Sequence, residues 1–401
     1  MMTARTKRAI LILVFSEFLI CLGIGLVIPV MPFLKNELHF SATDMGIMTS
    51  LFALAQFIAS PLVGRLSDRL GRKPILALGL LLYMFSEFLF AWSNNLALLN
   101  ISRIIGGLSA AMSIPPTMAM AADITTERQR AKVIGWISAA FSGALILGPG
   151  FGGILANIDY KAPFWFAGTL GFLSALAVLL FLPNEDELVH NTPSSPIISE
   201  DRKSTLSKMN TVFTGTVITL FVLILVSSFG LQGFESIYSI YVNEVFGFSI
   251  NNLALVLTLN GIISLILQVV FFERLVNWLQ ENTLIRYCFF FSLLGTIWII
   301  LAHSKLEVII ATLIIFSSFD LIRPAITTSL TKISPHNQGL INGINMSLTS
   351  VGNVIGPIIS GALLDLNHHF PYIVVAVFLA ISLCLSFMLK NNISTSATKD
   401  C

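Results

Sequence analysis

Charge is what this chain most lacks. Asp, Glu, Lys and Arg together make up 11% of its 401 residues, where soluble globular domains carry about 25%. That scarcity excludes an ordinary water-soluble domain. Cysteine is sparse as well. Cys21, Cys288, Cys384 and Cys401 show no paired spacing and mostly sit in apolar runs, which argues against a disulfide framework or a zinc site. There is no H-E-x-x-H, no G-x-S-x-G and no P-loop. No motif therefore supports a membrane hydrolase or ATP hydrolysis, none supports nucleic-acid binding, and no cofactor or metal is called for. A cleavable signal peptide is also lacking. The first apolar run, from about Ala9 to Phe33, is too long for an h-region and has no cleavage site, so it reads as a retained first span.

Apolar sequence is what the chain has in excess. Hydrophobic residues make up 55% of it, and the mean hydropathy is +0.85. One water-soluble core cannot hide that much apolar surface, and lipid is its natural solvent. A membrane helix needs roughly 20 mostly apolar residues. Twelve such runs are predicted, at about 9–34, 43–63, 74–93, 96–121, 132–156, 162–183, 211–243, 252–272, 284–302, 306–331, 339–364 and 370–389. Short turns join most of them. The exception, 184–209, is rich in Ser, Pro and charge and has linker composition. The expected organisation is a six-helix half over 1–183, a cytoplasmic linker over 184–209, and a second six-helix half with a short tail over 210–401.

Basic residues set the orientation. Only Lys35, Lys161 and Lys305 fall in one set of alternate loops, and Arg103 and Arg323 lie within spans. Every other Lys and Arg lies in the termini, the linker or the opposite loops. The positive-inside rule then places both termini and the linker in the cytoplasm.

The halves keep traces of a parallel repeat. Gly148-Pro149 returns as Gly356-Pro357, Pro116 returns as Pro324, and the turn from Arg65 to Leu70 returns, eroded, from Arg274 to Leu279. Parallel repeats related by an axis along the membrane normal place substrate sites near the midplane, between the halves.

Three motifs sharpen the reading. The loop after span two runs from Gly64 through Asp68, Arg69, Gly71 and Arg72 to Lys73-Pro74. A basic cytoplasmic loop is its plain alternative. Span five carries Gly143, Gly148-Pro149-Gly150 and Gly152-Gly153. Its formal G-x-G-x-x-G lies inside a span and not in a strand–turn–helix unit, so dinucleotide binding is rejected. Small residues there permit close helix packing, and Pro149 permits a bend. Span one ends Gly23-Ile-Gly25 and Pro29-Val-Met-Pro32, and span four holds Asn100-Ile-Ser-Arg103.

With these motifs the chain resembles the major facilitator superfamily, an all-α membrane fold of twelve transmembrane helices in two parallel-repeat six-helix halves. Within it the chain is similar to the twelve-span drug:proton antiporters, the NorA-like quinolone and multidrug efflux pumps of Gram-positive bacteria. Phe234-Glu235, Tyr238, Tyr241, Phe319-Asp320, Arg323-Pro324 and Gly352-Asn353 carry that likeness. The resemblance implies a proton-coupled exporter of small, often cationic drugs, in a bacterial plasma membrane and working as a monomer. It implies a conformational latch at Gly64, Asp68, Arg72 and Lys73. It also implies a span-five packing motif at Gly143, Gly148, Pro149 and Gly152 that favours export.

Charges inside spans cost about 2.5 to 3.5 kcal/mol each on insertion scales and are functional candidates by default. Six occur: Glu17, Glu87, Arg103, Glu235, Asp320 and Arg323. Asp320 and Arg323, spaced i, i+3, share a helix face and can pair, either as a permanent structural pair or with Arg323 tuning a proton-exchanging Asp320. Glu235 and Asp320 are the preferred proton-coupling carboxylates, and the resemblance points to the same two. Arg103 is either a proton-handling residue, as the resemblance implies, or a structural donor. Glu17 is either a third proton site or locally satisfied. Glu87, near the outer end of span three, is expected to reach interfacial water. The resemblance assigns a drug pocket to Gln56, Met112, Glu235, Tyr238, Tyr241, Thr327 and Asn353. The competing expectations are a nutrient symporter or narrow-substrate exporter on the same fold, and a non-transporting membrane sensor.

Overall fold

The computed structural model describes residues 4–183, 215–333 and 338–389. The predicted linker 184–209 and the tail beyond 389 lie outside the described residues. Among the described residues every regular element is a helix. The order is α1 (Ala4–Val27), a 3-10 turn (Ile28–Val30), α2 (Met31–Glu37), α3 (Ala42–Leu70), α4 (Arg72–Trp92), α5 (Leu96–Asp123), α6 (Glu127–Ala156) and α7 (Ala162–Phe181). Then follow α8 (Gly215–Phe246), α9 (Ile250–Ile266), a π-helical segment (Leu267–Phe271), α10 (Phe272–Leu279), α11 (Glu281–Leu301), α12 (Lys305–Ile333), α13 (Gln338–Leu366) and α14 (Phe370–Ser386).

Helix ends sit where the sequence supplies caps. At the start of α3, Ser41 Oγ accepts the Asp44 N–H at 3.0 Å while the Asp44 carboxylate accepts the Ser41 N–H at 2.9 Å, a reciprocal capping box. α3 stops at Gly71, whose φ of 93° suits a residue without Cβ. Asn95 caps α5 by accepting the Ala97 N–H at 2.8 Å. Prolines stand inside α3, α5, α6, α12 and α13 without ending them.

Among the described residues, ten helical stretches are long and apolar enough to cross a membrane, and Phe370–Ser386 is a shorter apolar helix. α12, with 29 residues, is long enough to match them and carries Asp320 and Arg323 in its middle. Large apolar side chains cover the outside. Leu11, Trp92, Val269 and Trp278 are each at least 70% exposed, a surface that lipid covers and water does not tolerate.

Two compact units divide the chain. The first spans Met1–Ile197, Gly233–Ile262 and Asn353–Pro371, and the second spans Ile198–Gln232, Ile263–Gly352 and Tyr372–Cys401. In the first, α1 packs on α6 and α7, α4 on α5 and α7, and α3 on α5. Small residues allow the closest approach: a Cβ on Gly148 would lie 2.6 Å from Gly25 Cα. In the second, α11 packs on α12.

Candidate functional site

α4 and α5 meet along a small-residue seam in which Ser86 Oγ donates to the Ser102 carbonyl at 2.8 Å and Ser102 Oγ donates to the Ser86 carbonyl at 2.9 Å. One residue on, Arg103 Nη2 donates to Glu87 Oε1 at 3.1 Å. The guanidinium also lies over the Phe90 ring, 4.2 Å from its centroid, a cation–π contact. Glu87 is only 3% exposed. The expectation that it reaches interfacial water is therefore corrected. The spacing along α4 suggested an outer position, but the partner that holds the charge inside comes from α5. Arg103 thus contacts both Glu87 and Phe90 of α4.

Glu17 lies on α1 and is 1% exposed. Its Oε1 accepts a hydrogen bond from Cys21 Sγ at 3.7 Å, and its Oε2 has no hydrogen-bond partner among the described residues.

In the first unit Glu235 is half-buried on α8. Phe234 and Tyr238 beside it are buried and stack with ring centroids 5.7 Å apart. Tyr241 is buried against Phe246 and His369. Both tyrosines thus sit in packed interior. Met112 is buried in a cluster with Ala59, Val63, Ile75 and Ala111. Gln56 and Asn353 are half-buried.

In the second unit Asp320 on α12 is half-buried and hydrogen-bonded by Ser264 of α9. Ser264 Oγ in turn accepts from Gln268 Nε2 at 3.0 Å. Arg323 is exposed and, among the described residues, makes no ion pair with Asp320. The i, i+3 spacing made a pair possible; the carboxyl takes a hydroxyl from the neighbouring helix. Thr327 Oγ1 accepts from Asn345 Nδ2 at 3.1 Å.

The loop motif after α3 is built as a small network. Arg72 contacts Asp68 at 2.7 Å, Asp123 of α5 at 3.0 Å and Ser67 Oγ at 3.3 Å. It ties the α3–α4 turn to the end of α5, and Lys73 follows it in the first turn of α4. Among the described residues a Cβ at Gly64 or Gly143 would meet nothing within 4 Å, whereas Gly148 and Gly152 press on α1 at Gly25 and Leu26. α6 continues through Pro149.

A cluster not foreseen from sequence lies at the end of the first unit where α1 gives way to α2 and α3 begins, the distal end. The Asp365 carboxylate of α13 accepts the backbone N–H groups of Ala42 and Thr43 at 2.8 Å each. Lys35 pairs with Glu244, and His368 Nδ1 lies 3.5 Å from the other Glu244 oxygen. Asn36 Nδ2 donates to Asn243 at 3.2 Å and Asn157 Nδ2 to Asn251 at 2.7 Å. The sparse charges of the distal loops, Lys35 above all, were the signal available for it.

The sequence model of the Major Facilitator Superfamily matches residues 13–321 and 288–399. The chain belongs to that superfamily. It is 40% identical to "Multidrug resistance protein 1" of Bacillus subtilis (strain 168) over 379 residues, covering 94% of this chain and 95% of the relative. It is 37% identical to "Quinolone resistance protein NorA" of Staphylococcus aureus over 375 residues, covering 93% and 95%. Among solved structures, a bacterial homologue of the human lysosomal transporter Spinster, inward-facing and unoccupied, matches with a TM-score of 0.81 at 16% identity over 97% of this chain and 98% of that one. The nucleoside transporter NupG matches with a TM-score of 0.75 at 13% identity over 96% and 98%. These two carry the fold alone. The superfamily and both solved neighbours are transporters, not enzymes, and this all-helical membrane chain shares their fold.

Proposed function

We propose that this transporter exports hydrophobic, often cationic drugs in exchange for protons. Relatedness at 40% and 37% identity to two drug-resistance proteins, along more than nine-tenths of each chain, carries the reading. The two intramembrane carboxyls, Glu235 and Asp320, give it chemistry. They lie within spans where a net charge is costly, and neither position is required by the repeat. The six-helix halves are 1–183 and 210–401 with 184–209 between them, both termini lie in the cytoplasm of a bacterial cell, and one chain is the working unit. The distal end then faces outward.

The cycle is an exchange. With access from inside, Glu235 and Asp320 give up protons and a lipophilic cation binds, its contacts those the resemblance assigns to Gln56, Met112, Tyr238, Tyr241, Thr327 and Asn353, among which methionine is adaptable. The halves then rock to give access from outside. Protons entering from that side neutralise the carboxyls and release the drug, and the protonated carrier returns. Proton and drug must prefer different states or compete for one site, since a ligand shifts a population only by its differential affinity. Arg103, clamped by Glu87, keeps α4 and α5 together through the motion.

Ethidium efflux from cells tests this. Wild-type export that stops with a protonophore, and stops in Glu235→Gln, is the expected result. Undiminished export in the presence of the protonophore contradicts proton coupling. Import of the dye would make the chain a symporter.

A further inference from the structure

Glu17 is the membrane carboxyl for which the exchange cycle above has no use, and its surroundings differ from those of Glu87. Both are at least 97% buried. Glu87 has Arg103 to hold its charge. Glu17 has, among the described residues, no basic partner and one weak donor, the Cys21 thiol at 3.7 Å. A carboxylate keeps its charge in such a place only when paired or well hydrogen-bonded. A proton on the carboxyl removes that cost without any partner.

The charged and titratable groups around it are few. α7 has none at all, and those of α6 lie within its first six residues, 127–132. Close contact of Gly25 with Gly148 puts Glu17 level with about Ala140 of α6, roughly 12 Å beyond Lys132 at 1.5 Å per residue. α4 offers Tyr83 and Glu87, with Arg72 and Lys73 in its first turn, and α5 offers Arg103, with Asp123 at its last residue. Tyr83, Glu87 and Arg103 connect to Glu17 through Cys21. Cys21 is one turn along α1, Gly23 lies against the Tyr83 hydroxyl, and Tyr83 is within electrostatic reach of Cys21, Glu87 and Arg103. Glu17 Oε2, Tyr83 OH, Glu87 Oε2 and Arg103 Nε are buried without a hydrogen-bond partner among the described residues. Buried polar atoms in folded proteins are nearly always satisfied. These four polar atoms stand at the groups that link Glu17 to the Glu87–Arg103 pair.

We propose that Glu17 is a third proton-exchanging carboxyl of the transport cycle, in communication with the Glu87–Arg103 pair through Cys21 and Tyr83. The proton leaves and returns to the same carboxyl oxygen, so no co-reactant is needed. This rests on the drug–proton exchange proposed above.

The test uses the full-length chain, purified and reconstituted in proteoliposomes, with tetraphenylphosphonium as probe. The proton-to-cation ratio is read from the gradient at which net probe flux reverses. Glu17→Gln is expected to transport with one proton fewer per cation and to lose one ionisation from the pH profile. An unchanged ratio and profile would overturn the proposal and leave Glu17 structural. If Glu17→Gln does not fold or transport, Cys21→Ala decides: a shifted pH midpoint of wild-type-like transport supports the proposal, and an unmoved one overturns it. Wild type that moves the probe without any proton dependence would sink the exchange reading itself, a result distinct from either.

Discussion

Asp365 caps a helix that begins 323 residues before it: its Oδ2 accepts the Thr43 backbone N–H at 2.8 Å while Oδ1 takes that of Ala42. The first N–H groups of a helix have no partner within it, and a carboxylate there gains from the helix dipole as well. Ser41 satisfies Asp44, so side chains serve three successive donors of α3. α13 is thereby fastened to the start of α3 by contacts that break cleanly, since water can replace them when the ends separate.

Asp365→Ala should loosen the distal end, because losing a cap costs about 0.5 to 2 kcal/mol. Cysteines introduced by Asn36→Cys and Asn243→Cys into a cysteine-free background report on it, since the native asparagines are hydrogen-bonded at 3.2 Å. Cross-linking should fall several-fold when Asp365→Ala is added. Equal cross-linking would show that the cap does not hold this end.

Packing of α1 on α6 predicts a contrast between two glycines of one motif. Gly148→Ala places a Cβ 2.6 Å from Gly25 Cα, and overpacking of this kind costs about 1 to 3 kcal/mol. Gly143→Ala meets nothing within 4 Å and should be close to neutral. Thermal unfolding in detergent separates the two; equal effects would contradict the packing.

The Glu87–Arg103 pair should behave as a buried ion pair. Arg103→Met alone strands the Glu87 carboxylate and should cost about 3 to 5 kcal/mol, whereas Glu87→Leu combined with Arg103→Met should cost much less. Unfolding temperatures of the two single variants and the double variant complete the cycle. Additive losses would mean that the 3.1 Å contact contributes little.

The helical spans were readable because lipid imposes one rule on every span: a long apolar run whose backbone is satisfied internally. The buried charges were readable for the same reason, as breaks in those runs. Their partners were not. Arg103 reaches Glu87 across sixteen residues and a helix boundary, and Asp320 takes Ser264 in preference to the nearby Arg323. Neither choice leaves a trace in local spacing. The distal cap was invisible for a stronger reason, since nothing near Asp365 in sequence announces the backbone of Thr43. Tyr238 and Tyr241, assigned to the drug pocket by resemblance, are buried in this structure. The predicted linker over 184–209 lies outside the described residues.

Exchange itself is tested most directly by watching protons when drug moves. Proteoliposomes holding the wild type, with a trapped pH-sensitive dye and no imposed gradient, receive ethidium on one side. The account predicts proton movement opposite to the ethidium, abolished by Glu235→Gln combined with Asp320→Asn. Ethidium entry with no proton movement, or with protons moving in the same direction, would contradict it.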